Sequence, residues 1–228
     1  MSNIHATEKP LYKVFSDDFV FSIPAYQRPY AWTEEQASEL LSDLLSFSNN
    51  ADSRTDANPY FLGSIVLIKG ETVPEADVVD GQQRLTTLTI LLAILKTLAS
   101  PSLAPFIAQH IYQKGNPILD IPTCYRLELR EKDREFFRKY IQDEGNLDAL
   151  FSINEAGLTD SQRNIQSNAR YFSEELKKLD EHQLEKFAGY IVKSCYLVVV
   201  STPDFDSAYR IFSTLNSRGL ELSRFSRR

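Results

Sequence analysis

Three stretches of the chain are dominated by apolar side chains, and they frame the rest. Residues 60–69 (YFLGSIVLIK) and 195–201 (CYLVVVS) carry β-branched and aromatic residues in near-continuous runs, the pattern of strands covered on both faces. Residues 82–98 begin with two glutamines and an arginine and continue apolar on almost every side, which predicts a buried helix. Between them, Asp77-Val78-Val79 can return as a neighbouring strand. Gly63 interrupts the first run, as at a bulge or where another backbone or a ligand comes close.

Weaker patterns fill in the remainder. Residues 1–10 read as a loose tail, and 19–23 as a short strand running into Pro24-Ala25-Tyr26-Gln27-Arg28-Pro29-Tyr30-Ala31-Trp32. Two prolines in that segment fix φ and keep the residues before them extended, so it is predicted to be a stiff, aromatic strap. Thr33-Glu34-Glu35-Gln36 is a capping box opening a helix to about residue 47, and 49–59 is a polar loop. Prolines break 100–122 around a short helix at 106–112, and 124–129 alternates like a half-exposed strand. The mixed charges of 130–139 predict a solvated helix face. A second box, Thr159-Asp160-Ser161-Gln162, starts a helix to about 179; others cover 181–193 and 206–215, the last closed by Asn216-Ser217-Arg218-Gly219. The expected class is α+β: a small mixed β-sheet with a helical lobe. Its parts are a core at 1–99, the lobe at 100–195, and a returning strand and helix at 196–228.

Composition narrows the function classes. No stretch approaches the length of apolar chain that spans a bilayer, and the N-terminus lacks a signal-peptide pattern, so a cytoplasmic location without membrane contact is expected. The 2 cysteines lack metal-site spacing and the 3 histidines are scattered, so no metal site is expected from the protein alone. A net charge of −6 argues against a broad nucleic-acid surface, though not against a local basic patch.

Candidate chemistry centres on Asp80-Gly81-Gln82-Gln83-Arg84, a polar turn between a strand and a helix start. Helix N-termini present unpaired N–H groups and partial positive charge, a natural anion site. Arg84 in a first turn is disfavoured by the helix dipole unless an anion joins it. The structural alternative is that Asp80 is an N-cap, with Gln83 completing a capping box. Arg28, in its strap, is pre-organised for a ligand or simply stacks on Tyr26, Tyr30 or Trp32. Asn216 and Arg218 share a turn that Gly219 alone does not explain.

Walker, dinucleotide, zincin and nucleophile-elbow motifs are absent. The segments 24–30 (PAYQRPY), 61–65 (FLGSI), 80–88 (DGQQRLTTL) and 212–219 (FSTLNSRG), in that order, resemble the landmarks of the GmrSD-type restriction endonuclease N-terminal domain. The resemblance covers nearly the whole chain. It implies a core related to ParB and sulfiredoxin, nucleoside-triphosphate binding and hydrolysis at the D-G-Q-Q-R motif, and a regulatory role in DNA modification-dependent restriction and phage defence. Under it, Asp80, Gln83 and Arg84 are the expected catalytic residues, and Gln27, Arg28, Gly81, Gln82, Asn216 and Arg218 the expected nucleotide-binding ones. Triphosphate chemistry implies Mg²⁺. DNA is expected to be met through a longer protein or a nuclease partner, and a homo-oligomer stays open. Many family members continue into a nuclease domain, whereas here Arg224-Phe225-Ser226-Arg227-Arg228 ends the chain; a truncation is expected, and DNA cleavage by this chain alone is not. Two alternatives stand beside this: a non-catalytic DNA-binding module, and a ParB-like nuclease.

Overall fold

The computed structural model describes residues 4–50, 59–143 and 146–225, with side chains as far as 215. Its strands are β1 (His5–Pro10), β2 (Val20–Ser22), β3 (Tyr60–Lys69), β4 (Glu75–Asp80), β5 (Tyr112–Gln113), β6 (Cys124–Tyr125), β7 (Leu127–Glu128) and β8 (Cys195–Thr202). The helices are α1 (Leu11–Val14), α2 (Glu34–Asn50), α3 (Gln82–Leu98), α4 (Ala104–Ala108), α5 (Glu131–Phe137), α6 (Leu147–Phe151), α7 (Asp160–Leu176), α8 (Glu181–Ser194) and α9 (Phe205–Phe225).

The architecture is α+β. A mixed six-stranded sheet has the order β1-β8-β3-β4-β2-β7, and β5 with β6 makes a separate ribbon. The two most apolar runs, β3 and β8, lie side by side and parallel inside it. Strand side chains alternate between faces, and this divides β3 and β4. Ile65, Leu67 and Val78 join the main core with α3, while Val66 and Val79 cluster with Ala208 of α9. The main core continues into the helical lobe through Phe137, Ile165, Phe172 and Phe187. Gly63 sits at a register shift of β3 against β8, with φ +98°.

Several sequence expectations are corrected. Residues 5–10 are not a loose tail but an edge strand, paired from His5 with Ser201 to Pro10 with Tyr196. An exposed edge tolerates Lys and Pro and needs no alternating apolar face, so HATEKP carries no periodic signal. The run 124–129 divides between two sheets, with Arg126 at the break. The face at 130–139 is not wholly solvated: Asp133 is buried and pairs with Arg130 at 2.9 Å. The final helix does not close at 216–219 but continues to Phe225. The polar loop expected at 49–59 falls largely on 51–58, outside the described residues.

Candidate functional site

Strand β4 passes into α3 through one residue. Gly81 is the N-cap, at φ +92°, and a Cβ added there would lie 2.4 Å from Ile65 Cγ2. Glycine is therefore required by both backbone and packing. Because Gly81 takes the cap position, Asp80 belongs to the strand, one residue too early to cap, and α3 has no side-chain cap. The capping-box alternative for Asp80 and Gln83 is thus overturned. The N–H groups of the first turn are left for solvent or a ligand.

Gln83 faces the strap instead. Its Oε1 accepts from the N–H groups of Ala31 at 2.7 Å and Trp32 at 3.2 Å, and its Nε2 donates to Pro29 O at 3.0 Å. Gln82 Nε2 donates to Gln27 Oε1 at 3.0 Å, and Gln27 Nε2 donates to Val79 O at 2.8 Å. Deeper down, Thr87 Oγ1 donates to Gln83 O at 2.9 Å, so the Tyr30 hydroxyl donates to Thr87 at 2.7 Å. Asn168 Nδ2, on α7, donates to Tyr30 Oη at 2.7 Å and Trp32 O at 2.9 Å. Burial pushes the Tyr30 phenol up to about 12, against the opposing pull of its bonds to Thr87 and Asn168. The strap is pinned from α3 below and from the helical lobe beside it.

The charged residues are held more loosely. Arg84 is partly buried; Nη1 donates to Ser64 O at 3.1 Å, its single hydrogen bond among the described residues. A Cβ on Gly63 would come within 3.1 to 3.3 Å of the Arg84 guanidinium atoms, so that glycine makes the seat for it. Burial pushes Arg84 below its ordinary pKa, with Asp80 and Tyr60 acting in the other direction. Arg28 is exposed, and neither its side chain nor that of Asp80 makes a hydrogen bond or ion pair among the described residues. Gln27, Arg28, Asp80, Gly81, Gln82, Gln83 and Arg84 all line one cleft of about 730 Å³, together with Trp32, Gly63 and Phe212. The side chains of Asn216 and Arg218 lie outside the described residues.

No group of three or more His, Cys, Asp or Glu among the described residues could hold a metal. Cys195 is buried, which pushes its thiol up to about 12. No helix of the described residues is long and apolar enough to cross a membrane. Beside the cleft, Tyr26, Phe205 and Tyr209 form a row of exposed rings, with Tyr26 edge-on to Phe205 at 6.0 Å and Phe205 stacked on Tyr209 at 6.3 Å.

Sequence reasoning missed Tyr30, Thr87, Asn168 and Ser64 as parts of the site. Asn168 offered one faint signal, a polar residue bordering the apolar stripe Ile165, Ala169, Phe172 and Leu176 of α7. Its partner Tyr30 is 138 positions away. No individual curated protein matches the chain. Residues 11–226 match the family described as GmrSD restriction endonuclease, N-terminal domain. That match spans the strap, the β4–α3 turn and the helical lobe, and the chain belongs to the GmrSD restriction endonuclease N-terminal domain family.

Proposed function

We propose that the cleft binds the polyphosphate of a nucleoside triphosphate and hydrolyses it, and that this chain is the regulatory domain of a DNA modification-dependent restriction and phage-defence system. The observation that carries the reading is the pairing of an uncapped N-terminus of a buried helix with a partly buried arginine that makes one hydrogen bond. Helix N–H groups and a guanidinium fork both suit phosphate oxygens. Asp80 would take a proton from the attacking water as the water oxygen bonds to the terminal phosphorus and the bridging P–O bond breaks. Arg84, Arg28 and the first-turn N–H groups would bear the charge shed onto the departing bridging oxygen. Gly81 lets the backbone approach the phosphates, and Gln82 Oε1 faces no protein donor among the described residues.

Gln83 is better read as a positioning residue, since its amide is engaged by the strap. Mg²⁺ fits this donor set, because it is commonly held by one or two carboxylates plus substrate phosphates. Asp80 would be its protein ligand, and the ion would supply neutralisation of phosphate charge. The test is phosphate release from each nucleoside triphosphate, with and without DNA, by wild type and by Asp80→Asn. Release abolished in the variant supports the reading; wild-type release with none of the nucleotides removes it.

A second reading, a DNA-binding module without catalysis, is favoured by the exposed row of rings formed by Tyr26, on the strap that carries Arg28, with Phe205 and Tyr209. Bases stack on such rings. Salt separates the two, because binding to a phosphate backbone weakens steeply as salt rises.

A further inference from the structure

A second cleft, of about 810 Å³, lies away from the motif between α1, α4 and α8. Tyr12 and Phe106 form its exposed rim, 43% and 66% accessible, and Ile107 lines its wall. His110 and Arg126 are buried at its floor. Gly189 completes the wall from within α8, where a Cβ would meet nothing within 4 Å. Glycine inside a helix destabilises it relative to alanine, and here no neighbour requires it. Its missing side chain leaves the cleft open.

The chemistry of the floor is specific. Arg126 Nη2 pairs with Asp17 at 2.6 Å and Nε donates to Gln109 O at 3.2 Å, so its charge is matched. Lys193 and Glu185, of opposite charge, also line the cleft. His110 Nδ1 is 3.0 Å from Phe15 O. A carbonyl only accepts, so Nδ1 carries the proton and the neutral ring offers Nε2 as an acceptor. Burial holds this imidazole below its usual pKa, with the Phe15 carbonyl opposing and Arg126 reinforcing. Among the described residues, His110 Nε2 and Arg126 Nη1 make no hydrogen bond.

The two buried floor residues thus retain one acceptor and one donor, in a cleft of ligand size whose formal charges balance. We propose that it binds a small neutral amide with a flat apolar body. The ligand carbonyl accepts from Arg126 Nη1, its N–H donates to His110 Nε2, and its ring lies against Tyr12, Phe106 and Ile107. A carboxylate would meet the His110 lone pair and compete with Asp17, while a cation would face Arg126. The site is independent of the chemistry at Asp80.

The test uses three isosteric probes, benzamide, benzoate and benzamidine, measured on the whole chain by ligand-observed NMR. Benzamide is expected to bind, with the two charged probes weaker by about tenfold or more, the scale of a mismatched buried polar contact. Gly189→Leu should fill the cleft and abolish benzamide binding; Gly189→Ala should keep it and raise Tm. Val192→Trp, obstructing the same wall without touching the helix glycine, serves if the leucine variant does not fold. Benzoate binding most tightly, no benzamide binding, or unchanged binding in both obstructed variants would overturn the proposal.

Discussion

The two halves of the D-G-Q-Q-R motif behave differently. The glutamines are buried, and their amides are tied to the strap, Gln82 to Gln27 and Gln83 to Pro29, Ala31 and Trp32. The charged residues that bracket them, Asp80 and Arg84, make a single side-chain hydrogen bond in all among the described residues, from Arg84 to Ser64 O. Buried amides cost free energy unless satisfied, so a satisfied network rigidifies its surroundings. Charged groups left with unused hydrogen-bonding capacity in a cleft are what a ligand can engage. The contrast assigns scaffold to the centre of the motif and chemistry to its ends.

The largest expected loss of stability follows from Gln83→Ala. The N–H groups of Ala31 and Trp32 and the carbonyl of Pro29 lose their partner together. Roughly 1.5–3 kcal/mol should disappear in urea unfolding, at about 0.5–1.5 kcal/mol for each part-buried hydrogen bond without full additivity. A change near zero would mean the strap holds without Gln83, and the contrast would fail.

Tyr30→Phe comes next, at about 1–2 kcal/mol near neutral pH for the lost hydroxyl. Its pH dependence is more telling. The wild-type phenol is pushed up to about 12 by burial, above its usual value of 10.0. In that window the folded state keeps a proton that the unfolded state has lost. This contribution is therefore whole below the unfolded pKa and declines as pH rises through the folded one. The gap in stability between wild type and Tyr30→Phe should narrow from about pH 10 to pH 12. A constant gap would place the phenol outside the buried network.

Much of this division was legible in the sequence at the level of elements. The bounds of β3 and α3 follow from their apolar runs, and the break at Gly63 from a glycine inside a strand. Gly63 also proves to be the seat of the Arg84 side chain, where the sequence pointed to another backbone or a ligand. What stayed hidden was pairing across long separations. Asn168 and Tyr30 meet through a hydrogen bond between one polar side chain on α7 and one aromatic in an irregular strap, and neither has a periodic partner. The D-G-Q-Q-R spacing was equally consistent with a capping box, and a single left-handed residue decided the matter.

Arg84→Ala should change stability by about 1 kcal/mol at most in either direction, since one hydrogen bond is lost while an unfavourable dipole contact and a desolvation cost are relieved. Nucleotide affinity should nevertheless fall by about 1.5–3 kcal/mol, the scale of a hydrogen bond to a charged group. A destabilised protein that still binds nucleotide normally would reverse the assignment of Arg84 to the chemical half.

Asp80→Asn should disturb the fold least of all. The carboxylate makes no hydrogen bond among the described residues, caps nothing, and sits at the end of a strand whose ladder is backbone-made. Its electrostatic neighbour is Arg84, for which Asp80 favours the charged form. Stability should shift by about 0.5 kcal/mol or less, the usual range away from packed or hydrogen-bonded groups. Turnover should fall by about 100-fold or more, as on removing a group that accepts a proton from the nucleophile. Binding measured with Mg²⁺ chelated should hold or tighten, because a negative charge beside the triphosphate is gone. That pairing, lost turnover with retained or improved affinity in a protein of unchanged Tm, is one a scaffold residue cannot produce. Loss of binding and of stability together would return Asp80 to the structural half and leave Arg84 as the motif's one chemical residue.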